Sequence, residues 1–195
     1  MKKLFLFSLI MVFVLASTVV YAAEKAPLGI GNLALKLDYM NFSDSDLENL
    51  GVDDSFYIGL EGYGEIARNL YLGAEVGYAN PDSKIKIEGV KGDIDLTYIP
   101  IELNLKYAIK PNPNIVIDFG AGLSYNYLES KISGRGISDS GNDWLFGGQI
   151  FVDANYTINQ FFLGLSAKYQ ITDDFEDWDF NGSNLRIGGQ IGVMF

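Results

Sequence analysis

Within eight stretches of this chain, apolar side chains recur at every second residue, and every charge in those stretches lies on the opposite face. A period of two marks a β-strand, whose successive side chains point to opposite sides. The last stretch shows it plainly. Leu185, Ile187, Gly189, Ile191, Val193 and Phe195 share one face, and Arg186, Gly188, Gln190, Gly192 and Met194 share the other. The scheme also runs through 33–40, 56–66, 70–78, 97–107, 115–126, 144–156 and 161–170. Each stretch is near the roughly 9–11 residues that a tilted membrane-crossing strand needs.

The side on which the charges fall separates two kinds of barrel. A water-soluble barrel buries its apolar face and shows its charges outside. Here Lys36, Asp38, Glu61, Glu75, Glu102, Lys106, Asp118, Asp153, Lys168 and Arg186 share the face that holds most of the Gly, Ser, Asn and Gln. The opposite faces carry no charge, and one Lys or Arg at the middle of a lipid-facing wall would cost about 2–4 kcal/mol. The pattern predicts an all-β fold, an eight-stranded antiparallel up-and-down transmembrane β-barrel with its charges turned inward. Eight strands leave an interior only about wide enough for side chains to fill. Buried charges must be paired, so the ten residues are expected to form a lumenal network, with Lys36, Glu61, Glu75, Glu102, Lys168 and Arg186 at its centre. Acidic groups outnumber basic ones on this face, so any leak would favour cations.

The connections alternate in length. Segments 41–54, 80–95, 129–143 and 172–184 are long, polar and rich in Asp, Ser and Gly, whereas 66–69, 108–114 and 157–160 are short. Outer-membrane barrels have long extracellular loops and short periplasmic turns, which predicts that both termini lie in the periplasm. Within the second long segment, alternation at 84–88 and 93–96 around Gly89-Val90-Lys91-Gly92 predicts a hairpin extending strands three and four. Pro100 lacks a ladder donor inside an otherwise regular run and is expected to mark a bulge. Aromatic residues fall at the strand ends on the apolar side. Tyr39, Phe56, Tyr78, Trp144 and Tyr169 would form one girdle, and Tyr107, Tyr156, Phe161 and Phe195 the other.

At the N-terminus, Lys2 and Lys3 precede an apolar run from Leu4 to Val20 and the small-residue site at Ala22. This predicts a secretory signal peptide over 1–22 and a barrel domain over 23–195. Cleavage would remove Lys2 and Lys3 and take the net charge from −11 to −13. So acidic a chain would repel nucleic-acid phosphates. The sequence contains neither cysteine nor histidine, which excludes disulfides, thiolate or imidazole metal sites and His-assisted nucleophiles. Ser138 and Asp139 have no base partner at a recognisable spacing. The expectation is no enzyme and no cofactor.

Two loops concentrate acid: Asp44, Asp46, Glu48, Asp53 and Asp54 in the first, and Asp173, Asp174, Glu176, Asp177 and Asp179 in the fourth. Asp177, Asp179 and Asn181, followed by Gly182, match the front half of a calcium loop, but Gly188 stands where the bidentate Glu belongs. No metal is therefore expected there. Phe175, Trp178 and Phe180 in the same loop would pack on the rim or meet an outside surface.

The signal segment, the eight runs, the loop rhythm and the ending Ile191-Gly192-Val193-Met194-Phe195 resemble the small outer-membrane β-barrel family that includes OmpA-, OmpX- and OmpW-type proteins. The stretch from Tyr98-Ile99-Pro100-Ile101 to Leu105-Lys106-Tyr107 is similar to that family's fourth strand. The resemblance implies a bacterial outer-membrane location, a monomer among lipid and lipopolysaccharide, and recognition of Ile191, Val193 and Phe195 by the barrel-assembly machinery. Nothing follows Phe195 in this sequence, so the two-domain arrangement of OmpA is not expected. The expected role is non-enzymatic: envelope integrity or surface interaction through acidic loops, over a plugged lumen. The alternative is a narrow channel or lateral route for small hydrophobic or cationic solutes.

Overall fold

The computed structural model of the chain describes residues 26–45, 47, 53–87, 90–134, 137–174 and 181–195. The segment 1–22, Asp46, Glu48 and residues 175–180, which include Asp177 and Asp179, lie outside the described residues. Nine strands follow in order: β1 Gly31–Phe42, β2 Asp54–Ala67, β3 Leu70–Ala79, β4 Asp82–Ile87, β5 Val90–Asn112, β6 Ile115–Gly134, β7 Ile137–Ile158, β8 Phe161–Thr172 and β9 Asn184–Met194. Chain neighbours pair antiparallel except β3 and β4, β9 returns to β1, and β3 pairs with β5. β4 continues the line of β3 past Asn80 and Pro81 and pairs with β5 alone among the described ladders. The result is a closed barrel of eight staves.

Parity follows the sequence reading on every stave. Leu35, Ile58, Leu103, Ile150, Leu165 and Ile187 project outward, Leu165 with 72% of its surface exposed. Lys36, Glu61, Glu102, Lys168 and Arg186 project inward, and Arg186 is only 1% exposed. Leaving one large apolar side chain in water forgoes about 1.5–3 kcal/mol. A wall made of such side chains is stable only against an apolar surround.

The short turns are built by asparagine. Asn69 and Asn159 have positive φ, 64° and 55°, a backbone region that Asn tolerates better than other side-chain-bearing residues. In the turn between β5 and β6, Asn112 Oδ1 accepts the backbone N–H groups of Asn114 at 3.0 Å and Ile115 at 2.9 Å.

The structure corrects three expectations. Segment 129–143 is not a long loop, because β6 and β7 stay paired up to Gly134↔Ile137. Polar composition suggested a loop, but a sheet that runs on past the apolar wall can face water on both sides and needs no apolar alternation. For the same reason β5, β6 and β7 reach 23, 20 and 22 residues. The predicted hairpin in 80–95 is present, with a tighter tip, since pairing continues to Ile87↔Val90. Finally, Pro100 makes no bulge. It pairs with Asn126 in unbroken register on the β6 side, while the ladder to β3 lapses between Val76↔Ile101 and Ala79↔Tyr98 without a shift. Its missing N–H falls at that lapse. The register shifts occur instead between Glu65 and Ala67 and between Ile109 and Asn112, both at the short-turn end.

Candidate functional site: a charged lumen between two apolar clusters

Neighbouring strands set like charges side by side. The register places Glu61 beside Glu75 and Glu75 beside Glu102, so β2, β3 and β5 form an acidic wall. Lys168 sits beside Arg186 on β8 and β9, and Lys36 follows on β1. Like charges directly opposite one another on a sheet destabilise it. Here each wall is neutralised across the lumen by the other.

The contacts are tightest toward the loop end. Lys168 Nζ donates to Glu75 Oε2 and Glu102 Oε2, both at 2.5 Å. Arg186 pairs with Glu102 through Nη2 and approaches Glu75 at 3.6 Å through Nη1. The Tyr57 ring centre lies 4.5 Å from the Arg186 guanidinium carbon, and the Tyr57 hydroxyl donates to Glu75 Oε1 at 2.6 Å. Gly77 makes this possible, because a Cβ there would collide with the Tyr57 ring. Toward the turn end the contacts loosen. Lys36 stands 3.2 Å from Glu61 and 3.6 Å from Asp153. Lys106 stands 3.7 Å from both Glu61 and Asp118, with its ammonium 3.8 Å from the Tyr63 ring centre. Asp118 also accepts Asn155 Nδ2 at 2.9 Å, and Asp38 accepts the Ser166 hydroxyl at 3.0 Å. All ten charged residues singled out in the sequence, six carboxylates and four cations, thus face the lumen and are buried; ion pairs join nine of them, and Asp38 is held by Ser166.

Sequence reasoning passed over the parts that close this system. Above the charges, the Tyr98 hydroxyl donates to Gln170 Oε1 at 2.6 Å and lies 3.0 Å from Asn126 Oδ1, and Asn184 joins the same cluster. Beyond it lies an apolar cap containing Met40, Phe42, Leu47, Leu96, Leu128 and Leu145. Below the charges a second cap contains Leu28, Tyr63, Tyr71, Ala108, Val116 and Phe151. Leu28 belongs to no strand. Residues just before β1 fold into the barrel mouth, where the Tyr71 hydroxyl accepts the Leu28 N–H at 3.1 Å and donates to the Gly29 carbonyl at 3.0 Å. The available signal was the run of large apolar residues at the strand ends of the polar face.

Outside, Tyr39, Phe56, Tyr78, Tyr107, Trp144, Tyr156, Phe161 and Tyr169 are all exposed on the apolar wall. Ile191 and Phe195 face the same way, and the Phe195 backbone exchanges hydrogen bonds with Gly31, which ties the end of the chain to β1. Of the acidic loop residues, Asp44 Oδ2 accepts both the backbone and side-chain N–H groups of Asn181, at 3.0 and 3.1 Å. Asn181 thereby clasps the first loop to the fourth. Ser138 and Asp139 pair through their backbones with Ser133 and Ile132 of β6. No group of carboxylates arranged to hold a metal occurs among the described residues.

The family described as outer membrane protein beta-barrel domain matches residues 6–195. This chain belongs to that family. Membership places the barrel in the bacterial outer membrane and explains its outward apolar wall. Among curated proteins none matches it in sequence. Neisserial surface protein A superposes with a TM-score of 0.61 at 13% identity, over 85% of this chain and 96% of that one. A major outer membrane protein from Thermus thermophilus gives 0.59 at 11% identity, over 84% and 99%. Ail, the attachment invasion locus protein of Yersinia pestis, gives 0.53 at 13%, over 84% and 97%. At such identities the likeness is one of fold.

Proposed function

We propose that this outer-membrane barrel is a non-catalytic envelope protein that acts through what it presents beyond the loop end, over a lumen closed to solutes. The observation that carries this reading is the continuation of β4, β5, β6 and β7 past the last apolar rung as a four-stranded sheet. On β6 the outward series changes from Tyr125 and Tyr127 to Glu129 and Lys131, yet pairing with β7 runs on to Gly134. At about 3.3 Å per residue, the six residues from 129 to 134 carry the sheet roughly 20 Å along the strand direction. The outer edge of β4 has no partner among the described ladders. Free edges and acidic loops are means of contact with other macromolecules. The termini then lie on the periplasmic side, since the short turns are at their end of the barrel.

The closed lumen supports the same reading. A solute would have to cross two apolar caps and separate ion pairs whose partners are buried, each costing about 3–5 kcal/mol to strand. Purified barrel reconstituted in planar bilayers is expected to stay electrically silent. Steady, reproducible openings would instead favour a narrow route for small hydrophobic or cationic solutes. Replacing 83–94 by a short turn is expected to leave an assembled barrel, read from its heat-dependent gel mobility, while cells expressing it lose attachment to surfaces that the intact protein binds. Undiminished attachment would remove the role assigned to the sheet.

A further inference from the structure

Where the apolar wall of β5, β6 and β7 ends, three outward rings meet. Tyr125 and Trp144 stack with centroids 4.7 Å apart and planes 13° from parallel, and Tyr127 leans on Trp144 at 5.3 Å and 59°. No other place on the described outer wall brings three rings into contact. The contact leaves much of the surface free: Trp144 is 43% exposed and Tyr125 is 47% exposed. The Trp144 backbone N–H donates to Asp143 Oδ1 at 2.7 Å, which fixes the backbone that carries the indole.

The register sets what lies above. Tyr127 pairs with Trp144, and one rung further out Glu129 pairs with Asn142. Lys131 follows on the same face, its ammonium 3.0 Å from the Glu129 carboxylate. Glu129 holds that ammonium above its ordinary titration range by hydrogen bonding and charge, so it stays a donor. Same-face residues are about 7 Å apart along a strand, so the rings and the Glu129–Lys131 pair are separated by about the width of one sugar ring.

We infer that Tyr125, Tyr127 and Trp144, with Glu129 and Lys131 above them, form a docking platform for the neutral hexose headgroup of a membrane glycolipid. Hexose C–H groups are slightly positive and lie against aromatic faces, which are slightly negative. Vicinal hydroxyls need an acceptor and a donor side by side, as a carboxylate and an ammonium supply. The rings end the apolar wall and the charged pair follows on the same face, the change expected at headgroup depth, so a sugar carried on a lipid would meet them there. With a chain net charge of −11 and Asp95 beside Lys131 in the ladder, a sulfated or phosphorylated sugar is disfavoured against a neutral one. The inference requires membrane embedding and is independent of the role proposed for the protruding sheet.

The test uses the full barrel bearing Trp178→Phe, which leaves Trp144 as the sole tryptophan. It is reconstituted in vesicles of phosphatidylcholine alone, with added monogalactosyl diacylglycerol, or with added phosphatidylglycerol. The galactolipid is expected to change Trp144 emission saturably, whereas phosphatidylglycerol and soluble methyl galactoside do not. Tyr127→Ala is expected to weaken the response by about 3- to 10-fold, the loss of one aromatic contact. Lys131→Ala, at an exposed position that cannot unfold the barrel, should weaken it as well. Equal responses to phosphatidylglycerol would reduce the effect to general interfacial partitioning and overturn the inference. So would equal responses to soluble galactoside, or a galactolipid response untouched by both substitutions.

Discussion

Arg186 shows how much one lumenal residue decides. It is bracketed by Glu102, Glu75 and the Tyr57 ring, and its register neighbour Lys168 reaches the same two glutamates. Replacing Arg186 by Met would leave Glu102 and Glu75 sharing Lys168, with Lys36 a further 3.8 Å contact for Glu75 alone. Stranding a buried charge costs about 3–5 kcal/mol. The expected outcome is a matching loss in urea unfolding of the barrel in detergent micelles, partly recovered when Glu102→Gln is added. An unchanged midpoint would mean that the network contributes nothing to stability. That Arg186 faces inward was legible from its place opposite Leu185 and Ile187. That it meets Glu102, 84 positions earlier in the chain, was not, because period-two patterning gives the face of a side chain and not its neighbour across the lumen.

At the scale of elements, the strands divide the lumen into a polar middle and two apolar ends, and the segment before β1 completes one of those ends. Leu28 is fully buried there, and its segment is held by hydrogen bonds between the backbone and the Tyr71 hydroxyl. Leu28→Ala should cost about 2–5 kcal/mol, as for other large-to-small changes at buried sites, seen as a lower urea midpoint with the barrel still formed. A cost near zero would show that the stopper is dispensable for stability. Nothing in Ala26-Pro27-Leu28-Gly29 announced a plug, since so short a segment carries no periodicity. The 129–143 stretch was misread as a loop for a related reason. Its strands extend where no apolar face is required, so pairing persists after the alternation has ended.

For the whole molecule, the governing fact is inversion: apolar side chains outward, charges inward, in a wall that membership of an outer-membrane family sets in lipid. Leu35 tests it. It lies on the outer wall between Leu60 and Ile191, and Leu35→Arg should destabilise the membrane-inserted barrel by about 2–4 kcal/mol. Folding yields into lipid vesicles over a urea series would report that loss, and a barrel that tolerated the charge would contradict the assigned depth of β1.

Strand number, parity and the identity of the buried charges were determined by the sequence alone, because each strand must satisfy lipid on one side whatever its neighbours are. Only the tertiary structure decided that Glu61, Glu75 and Glu102 line up across β2, β3 and β5 and meet Lys168, Arg186 and Lys36 from β8, β9 and β1. That arrangement depends on closure of β9 onto β1 and on register, and both are set by pairings between residues far apart in the chain.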